Sequence, residues 1–259
     1  EFFGAEMAND IAKADLILGN NVYAHVPDIN DFTVGLKNAL KPQGVVTLEF
    51  PHLMRLVEFN QFDTVYHEHF SYLSLLSVES IMLAAGLRVF DVEELPTHGG
   101  SLRIYACHIA ADHAEQSSVA TLRNAESERG MGRDAYYIAF QAQAEAVKND
   151  FLQFLLQARS EGKSVAAYGA AAKGNTMMNF AGIRPDLLSY VVDKNPNKQG
   201  KFMPGSRIPI KNEQYIKDNN PDCIVILPWN LKDEVMNQLQ FIRAKGGQFV
   251  VAVPEMKVL

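Results

Sequence analysis

Asp15-Leu16-Ile17-Leu18-Gly19-Asn20 is the run that decides the fold. Its short apolar core, closed by Gly-Asn, predicts a buried strand that ends in a turn. Val45 to Phe50 predicts a second buried strand. Between them Phe32, Leu36, Ala39 and Leu40 fall at helical spacing, with Asp28 or Asn30 as the cap and Lys41-Pro42-Gln43-Gly44 as the stop. Strand, helix, strand is the parallel crossover unit, so the chain reads as α/β.

The pattern continues on both sides. Ala5 to Lys13 predicts a short helix, and Pro51 to Phe62 another. Leu75 to Ala85 is a helix stopped by Gly86. Leu87 to Glu93 and Leu102 to His108 read as an antiparallel pair joined at Thr97-His98-Gly99-Gly100-Ser101. From Asp112 to Glu161 the chain turns polar. Phe140, Ala144, Val147, Phe151, Phe154 and Leu155 predict one long amphipathic helix from about Arg133 to Arg159. Ser164 to Gly169 opens a second α/β unit, with further strands over Leu187–Val192, Cys223–Leu227 and Gln248–Val253. The expected division is 1–110, a helical linker 111–162, and 163–259.

Composition narrows the function classes. The 259 residues are 47 % hydrophobic and 21 % charged with a net charge of −6, so no polyanion-binding surface is expected and nucleic acid is excluded as a partner. No apolar run approaches the ~20 residues that span a bilayer, and no signal peptide is present. Cys107 and Cys223 are unpatterned, which fits a reducing cytoplasm rather than a disulfide framework. The start Glu1-Phe2-Phe3 reads like the middle of a fold and suggests a fragment of a longer protein.

The chemistry concentrates in Asp63-Thr64-Val65-Tyr66-His67-Glu68-His69-Phe70-Ser71-Tyr72. A phenol, a carboxylate and a histidine within four positions can form a proton-transfer set, because imidazole exchanges protons near neutrality. The competing reading is a polar turn with aromatics that fill a core. His67 and His69 are two apart, which suits opposite faces of a strand, and the helical zinc spacing is absent, so no metal is assigned. A metal-dependent hydrolase on His67, Glu68 and His69 is the enzyme reading this leaves aside.

Other positions carry weaker signals. His25 follows the first strand, where open α/β sheets take ligands, or it is a loop histidine bonded to backbone. Gly99-Gly100 lets backbone approach a ligand that Arg103 would hold, or it is a tight turn. Gly169-Ala170-Ala171-Ala172-Lys173-Gly174-Asn175-Thr176 offers backbone amides and one cation to an anion, or is a strand-to-helix turn with a surface lysine. It is neither a Walker loop nor GxGxxG. Asp193, just past a strand, sits where a Rossmann-like fold holds a ribose, or it opens an Asp-Lys-Asn-Pro turn. Trp229 reads as a packing residue.

Taken together, Gly19 to Asp28, Gln61 to Tyr72, Thr97 to Tyr105, Tyr168 to Phe180 and Val192 to Ile210 resemble the sugar C-methyltransferases. These enzymes use S-adenosylmethionine (SAM) to methylate C3 of a nucleotide-linked 4-keto-deoxysugar. Tyr-His-Glu-His and His-Gly-Gly-Ser-Leu-Arg carry most of the likeness. The resemblance implies the C-terminal part of a Rossmann-like SAM-methyltransferase domain followed by a second Rossmann-like α/β domain that helps hold the nucleotide-sugar. The family's zinc-binding N-terminal domain and Gly-rich SAM loop have no counterpart in this sequence.

The resemblance also implies site roles. His69 and Tyr66 are the candidates for base and proton carrier, with Glu68 orienting one of them. His25 would face the sugar or its enolate oxygen. Asn20 and Asn21 would pass the methionine part of SAM. His98, Gly99, Gly100, Ser101 and Arg103 would line the sugar or its phosphates, and Gly169, Ala170, Lys173, Thr176 and Asp193 the rest of a dTDP-sugar. The alternative is a catalytically silent nucleotide-sugar-binding fragment or subunit.

Overall fold

The structure is a computed structural model and describes residues 2–259. The chain forms two units. The first takes the residues up to Glu58 together with His67–Ala139, and the second takes Phe59–Tyr66 with Phe140–Leu259. The polar stretch 111–162 therefore divides between both units rather than forming a linker of its own.

The first unit begins with α1 (Ala5–Asn9), β1 (Ala14–Asn20), α2 (Ile29–Ala39), β2 (Leu40–Pro51) and α3 (Leu53–Glu58). It continues with α4 (Leu75–Ala84), β3 (Leu87–Leu95), β4 (Ser101–His108) and α5 (Ser117–Glu128). Among the described residues its sheet has four strands in the order β1-β2-β4-β3. β1 runs parallel to β2, with Asn20 opposite Glu49, and the other pairings are antiparallel. The crossover helix α2 starts where Asp28 accepts from the amides of Asn30 and Asp31, at 3.1 and 2.9 Å, a side-chain N-cap. Its Leu36 packs with Leu48, Phe50, Leu75 and Ile104 in the core.

Two expectations change here. β1 is not a buried strand. Among the described residues it is paired on one side only, and Leu16 and Leu18 stand 53 % and 68 % exposed. The helix expected over 51–62 shortens to α3, because Phe59–Tyr66 folds with the second unit.

That second unit contains α6 (Phe140–Ser160), β5 (Val165–Tyr168), α7 (Ala172–Phe180), β6 (Val191–Val192) and β7 (Ile210–Lys211). α8 (Glu213–Asn219), β8 (Cys223–Ile226), α9 (Lys232–Gln238), α10 (Phe241–Ala244), β9 (Gln248–Val251) and β10 (Lys257–Val258) follow. The described strands lie in the order β10-β9-β8-β5-β6-β7, all parallel except β10. From β5 the chain winds first toward β7 and then back through β8 to β9. That reversal makes a doubly wound sheet with its switch point between β5 and β8. Both strands are buried along their full length, as a sheet covered on both faces requires.

Here too the sequence reading is corrected in detail. The long helix begins at Phe140 rather than Arg133, since 134–136 forms a 3-10 turn and the rings of Tyr136 and Tyr137 meet edge to face at 4.9 Å. The strand expected from Leu187 reduces to Val191–Val192, because the amides of Leu187 and Leu188 turn back to the Arg184 carbonyl.

Candidate active site

In the first unit several of the candidate side chains gather after the carboxyl end of β1. Asn20 and Asn21 close the strand with exposed amides, and Asn21 adopts a left-handed backbone, φ 53°. The chain then turns through Tyr23–His25. Tyr23 is fully buried and its hydroxyl meets Thr33 Oγ1 at 2.7 Å, which anchors the turn to α2. Burial pushes the Tyr23 phenol up to about 12, with the Thr33 bond pulling the other way, so it stays a neutral anchor.

Half-buried His25 rises from this anchor. Its Nδ1 lies 2.7 Å from the Glu68 carbonyl oxygen. A carbonyl only accepts, so Nδ1 carries the proton, and in the neutral ring the lone pair is left on Nε2. The amides of Phe70 and Ser71 both donate to the Ala24 carbonyl, which ties the 67–72 loop to the same turn. The loop brings the His69 ring 4.8 Å from that of His25 and 5.9 Å from that of Tyr72. His25, His69 and Tyr72 are thus assembled. Glu68 contributes its backbone carbonyl, while its side chain is exposed, as is His67. Tyr66 is half-buried and closes the segment that belongs to the second unit. Among the described residues no three His, Cys, Asp or Glu side chains converge as a metal site needs.

A second group stands beside the strand end. Asn21 Nδ2 donates to His98 Nε2 at 3.1 Å. Glu49, 5 % exposed and opposite Asn20, accepts from Thr97 Oγ1 and from Arg103 Nη2, both at 2.9 Å. Arg103 also reaches Glu93 at 3.0 Å, so its charge is met by two carboxylates. Gly100 has φ 124°, a conformation open to glycine, and a Cβ there would lie 2.8 Å from Arg55 Cβ. Ser101 is buried and donates to the Thr97 carbonyl. The His98–Arg103 stretch is therefore a turn braced from within, next to the strand end.

Beneath both loops lies a buried pair that the sequence reading missed. His52 and Glu126 are inaccessible to solvent, with Nε2 and Oε1 2.7 Å apart. The Glu126 carboxylate also accepts the amides of Leu75 and Leu76 at 2.8 and 2.9 Å, which satisfies the start of α4. The backbone of His52 donates to the Gly100 carbonyl, and that of Leu53 to Leu73. One pair thus fastens both loops. Its signal was present: Val119, Leu122 and Glu126 share the buried face of α5. Glu49 was the other omission, an acid amid the apolar run of β2.

In the second unit Lys173 and Asp193 both have internal partners. Asp193 accepts from the Ala170 amide at 2.8 Å and lies 3.4 Å from Lys198 Nζ. Lys173 donates to Asn230 Oδ1 at 2.8 Å and stands 4.5 Å over the Trp229 ring. Gly169, with φ 92°, packs where a Cβ would lie 2.5 Å from Pro228. Thr176 donates to the Ala172 carbonyl within α7. Trp229, read as a packing residue, also donates its indole N–H to Asp63. Cys107 and Cys223 are free and buried. No described helix is long and apolar enough to cross a membrane.

The C-methyltransferase C-terminal domain family matches residues 96–254, and a methyltransferase domain family matches residues 2–92. C-methyltransferase NovU of Streptomyces niveus is 36 % identical over 261 residues, covering 99 % of this chain and 62 % of that protein. The chain thus spans less than two thirds of that relative. Solved structures overlap loosely. The magnesium protoporphyrin IX methyltransferase ChlM of Synechocystis PCC 6803, with bound SAH, gives a TM-score of 0.31 at 12 % identity over 39 % of this chain and 48 % of its own. The 1,6-didemethyltoxoflavin-N1-methyltransferase of Burkholderia thailandensis gives 0.30 at 15 % over 39 % and 48 %.

Proposed function

Because the chain belongs to the C-methyltransferase family, we propose that it carries the base-bearing part of a SAM-dependent C-methyltransferase. The assigned substrate is a nucleotide-linked 4-keto-deoxysugar, a thymidine-diphosphate sugar, methylated at C3. The observation that carries this reading is the pair His25–His69, assembled at a strand end with the tautomer of His25 fixed by the Glu68 carbonyl.

The chemistry asks for little more. A C3 proton beside the C4 ketone is acidic once the enolate oxygen is held by a donor. His69 takes that proton. His25 acts in its protonated form, the second proton taken up from solvent before substrate binds: Nδ1–H is committed to the Glu68 carbonyl and Nε2–H donates to the ketone oxygen and so holds the enolate. The Asn20 and Asn21 amides, exposed at the carboxyl end of a parallel strand, fit the amino and carboxylate groups of the methionine part of SAM. Bound there, SAM supplies the electrophilic methyl carbon. His98, Gly99 and Gly100 line the sugar side of the same strand end.

Deuterium exchange at C3 of the nucleotide-sugar, followed by NMR in D2O without SAM, tests the base directly. The chain should exchange C3 above the buffer rate. His69→Asn should cut exchange about 100-fold with the sugar-nucleotide Kd unchanged. Undiminished exchange in that variant removes His69 from the mechanism. Tight binding with no exchange in the unaltered chain favours the silent nucleotide-sugar binder.

A further inference from the structure

Open α/β sheets take ligands outside the carboxyl ends of their strands, at the point where the winding reverses. In the second unit that point lies between β5 and β8, and the chain itself occupies it. Residues Phe62–Thr64 form a buried 3-10 turn there. Phe62 meets Phe180 of α7 edge to face at 5.5 Å. Asp63 lies among Phe151, Gly174, Leu227 and Trp229 around a void of about 10 Å3, room for at most one water.

The chemistry of the filled crevice is that of an anion site. The Trp229 indole N–H donates to Asp63 Oδ2 at 2.8 Å. The Lys173 ammonium lies over the same indole ring; its charge and the indole N–H favour the ionised carboxylate, against burial, the larger effect, which pushes the carboxyl up to about 6. Gly174 lets α7 come close, since a Cβ there would stand 2.7 Å from Leu227 Cβ. A plug that served packing alone would be apolar, as Phe62 is. Asp63 is 1 % exposed and its Oδ1 has no partner, an arrangement that costs folding free energy.

We propose that Asp63 is the resident, in-cis ligand of this crevice. It is a positioning residue that seats Phe59–Tyr66 by standing where a bound anion would stand. The carboxylate thereby holds Phe59–Tyr66 within the second unit. Lys173 then answers to Asp63 and not to a substrate diphosphate. This inference stands apart from the methyl-transfer reading, since no step of it involves substrate or SAM.

Trp229 is the sole tryptophan of the sequence, so the emission of the full chain reports this crevice. Asp63→Ala removes the anion and leaves the lysine and the indole N–H. Acrylamide quenching of Trp229 should rise severalfold in that variant. Formate, the smallest carboxylate, should reverse the rise saturably, while chloride at equal ionic strength should not, and the unaltered chain should ignore both. Quenching equal to that of the unaltered chain, or a rise that formate leaves untouched, overturns the proposal.

A second measurement does not depend on that variant folding. The charge facing Asp63 is that of Lys173 from α7, while Phe151 from α6 and Trp229 and Asn230 from the turn after β8 are neutral. Trp229 emission of the unaltered chain should therefore titrate near pH 6, and the near-isosteric Asp63→Asn should not. The same titration in both proteins, or in neither, also overturns it.

Discussion

Replacing Glu126 by glutamine tests the pair beneath the two loops with a change of one atom. The carboxylate accepts from three donors: His52 Nε2, the Leu75 amide and the Leu76 amide. Glutamine keeps one oxygen. Its best rotamer leaves that oxygen on His52 and Leu75 and turns an NH2 toward the Leu76 N–H. A buried amide without an acceptor costs about 1–3 kcal/mol. Loss of the negative charge at the start of α4 adds about 1 kcal/mol. The expected destabilisation is about 3 kcal/mol, read as a lower urea midpoint by circular dichroism. Glu126→Ala removes all three acceptor contacts and should cost about 4–5 kcal/mol, as for a broken buried pair. The order matters more than either value. Were Glu126→Gln to match the unaltered chain, the account of α4 as a helix started by the Glu126 carboxylate would be wrong.

Three further outcomes are expected. Burial pushes the Asp63 carboxyl from 3.8 up to about 6, against the pull of Trp229 and Lys173, so the folded state binds its proton more readily than the unfolded chain. Stability from this group is complete below pH 3.8 and is lost as pH rises through about 6, some 2 units or about 3 kcal/mol. Asp63→Asn should therefore gain about 3 kcal/mol relative to the unaltered chain between pH 4 and pH 7.5 in paired urea titrations, and a pH-independent difference would contradict the burial. Gly100→Ala, at φ 124° against Arg55, should cost about 2 kcal/mol or more in thermal unfolding, whereas Gly86→Ala, with nothing within 4 Å, should cost less. His25→Asn should slow C3 exchange less than His69→Asn does, and equal losses would show that the two rings act as one base.

The sequence made the local devices legible. Asp28 as a cap, the Gly86 stop and the Thr97–Ser101 turn each depend on neighbours a few residues away, and the structure places each where expected. Legible too is the crossover unit, whose two strands pair in parallel. What stayed hidden depends on distant partners. Nothing near Asp63 in sequence announces Trp229, 166 residues on. Nothing near His52 announces Glu126. The apolar run of β1 looked buried because burial was read from its own residues, while exposure follows from its place at the edge of the sheet among the described residues.

That unshared side of β1 has a consequence for handling the protein. Among the described residues no strand pairs with its outer backbone donors and acceptors, which Leu16 and Leu18 flank, and no proline interrupts it. Such an edge is a template for adding another strand, and nature blunts it with charge. The isolated chain should therefore self-associate as its concentration rises, seen as a growing scattering mass. Leu18→Lys, one cation on the bare edge, should return it toward a single species without touching the core.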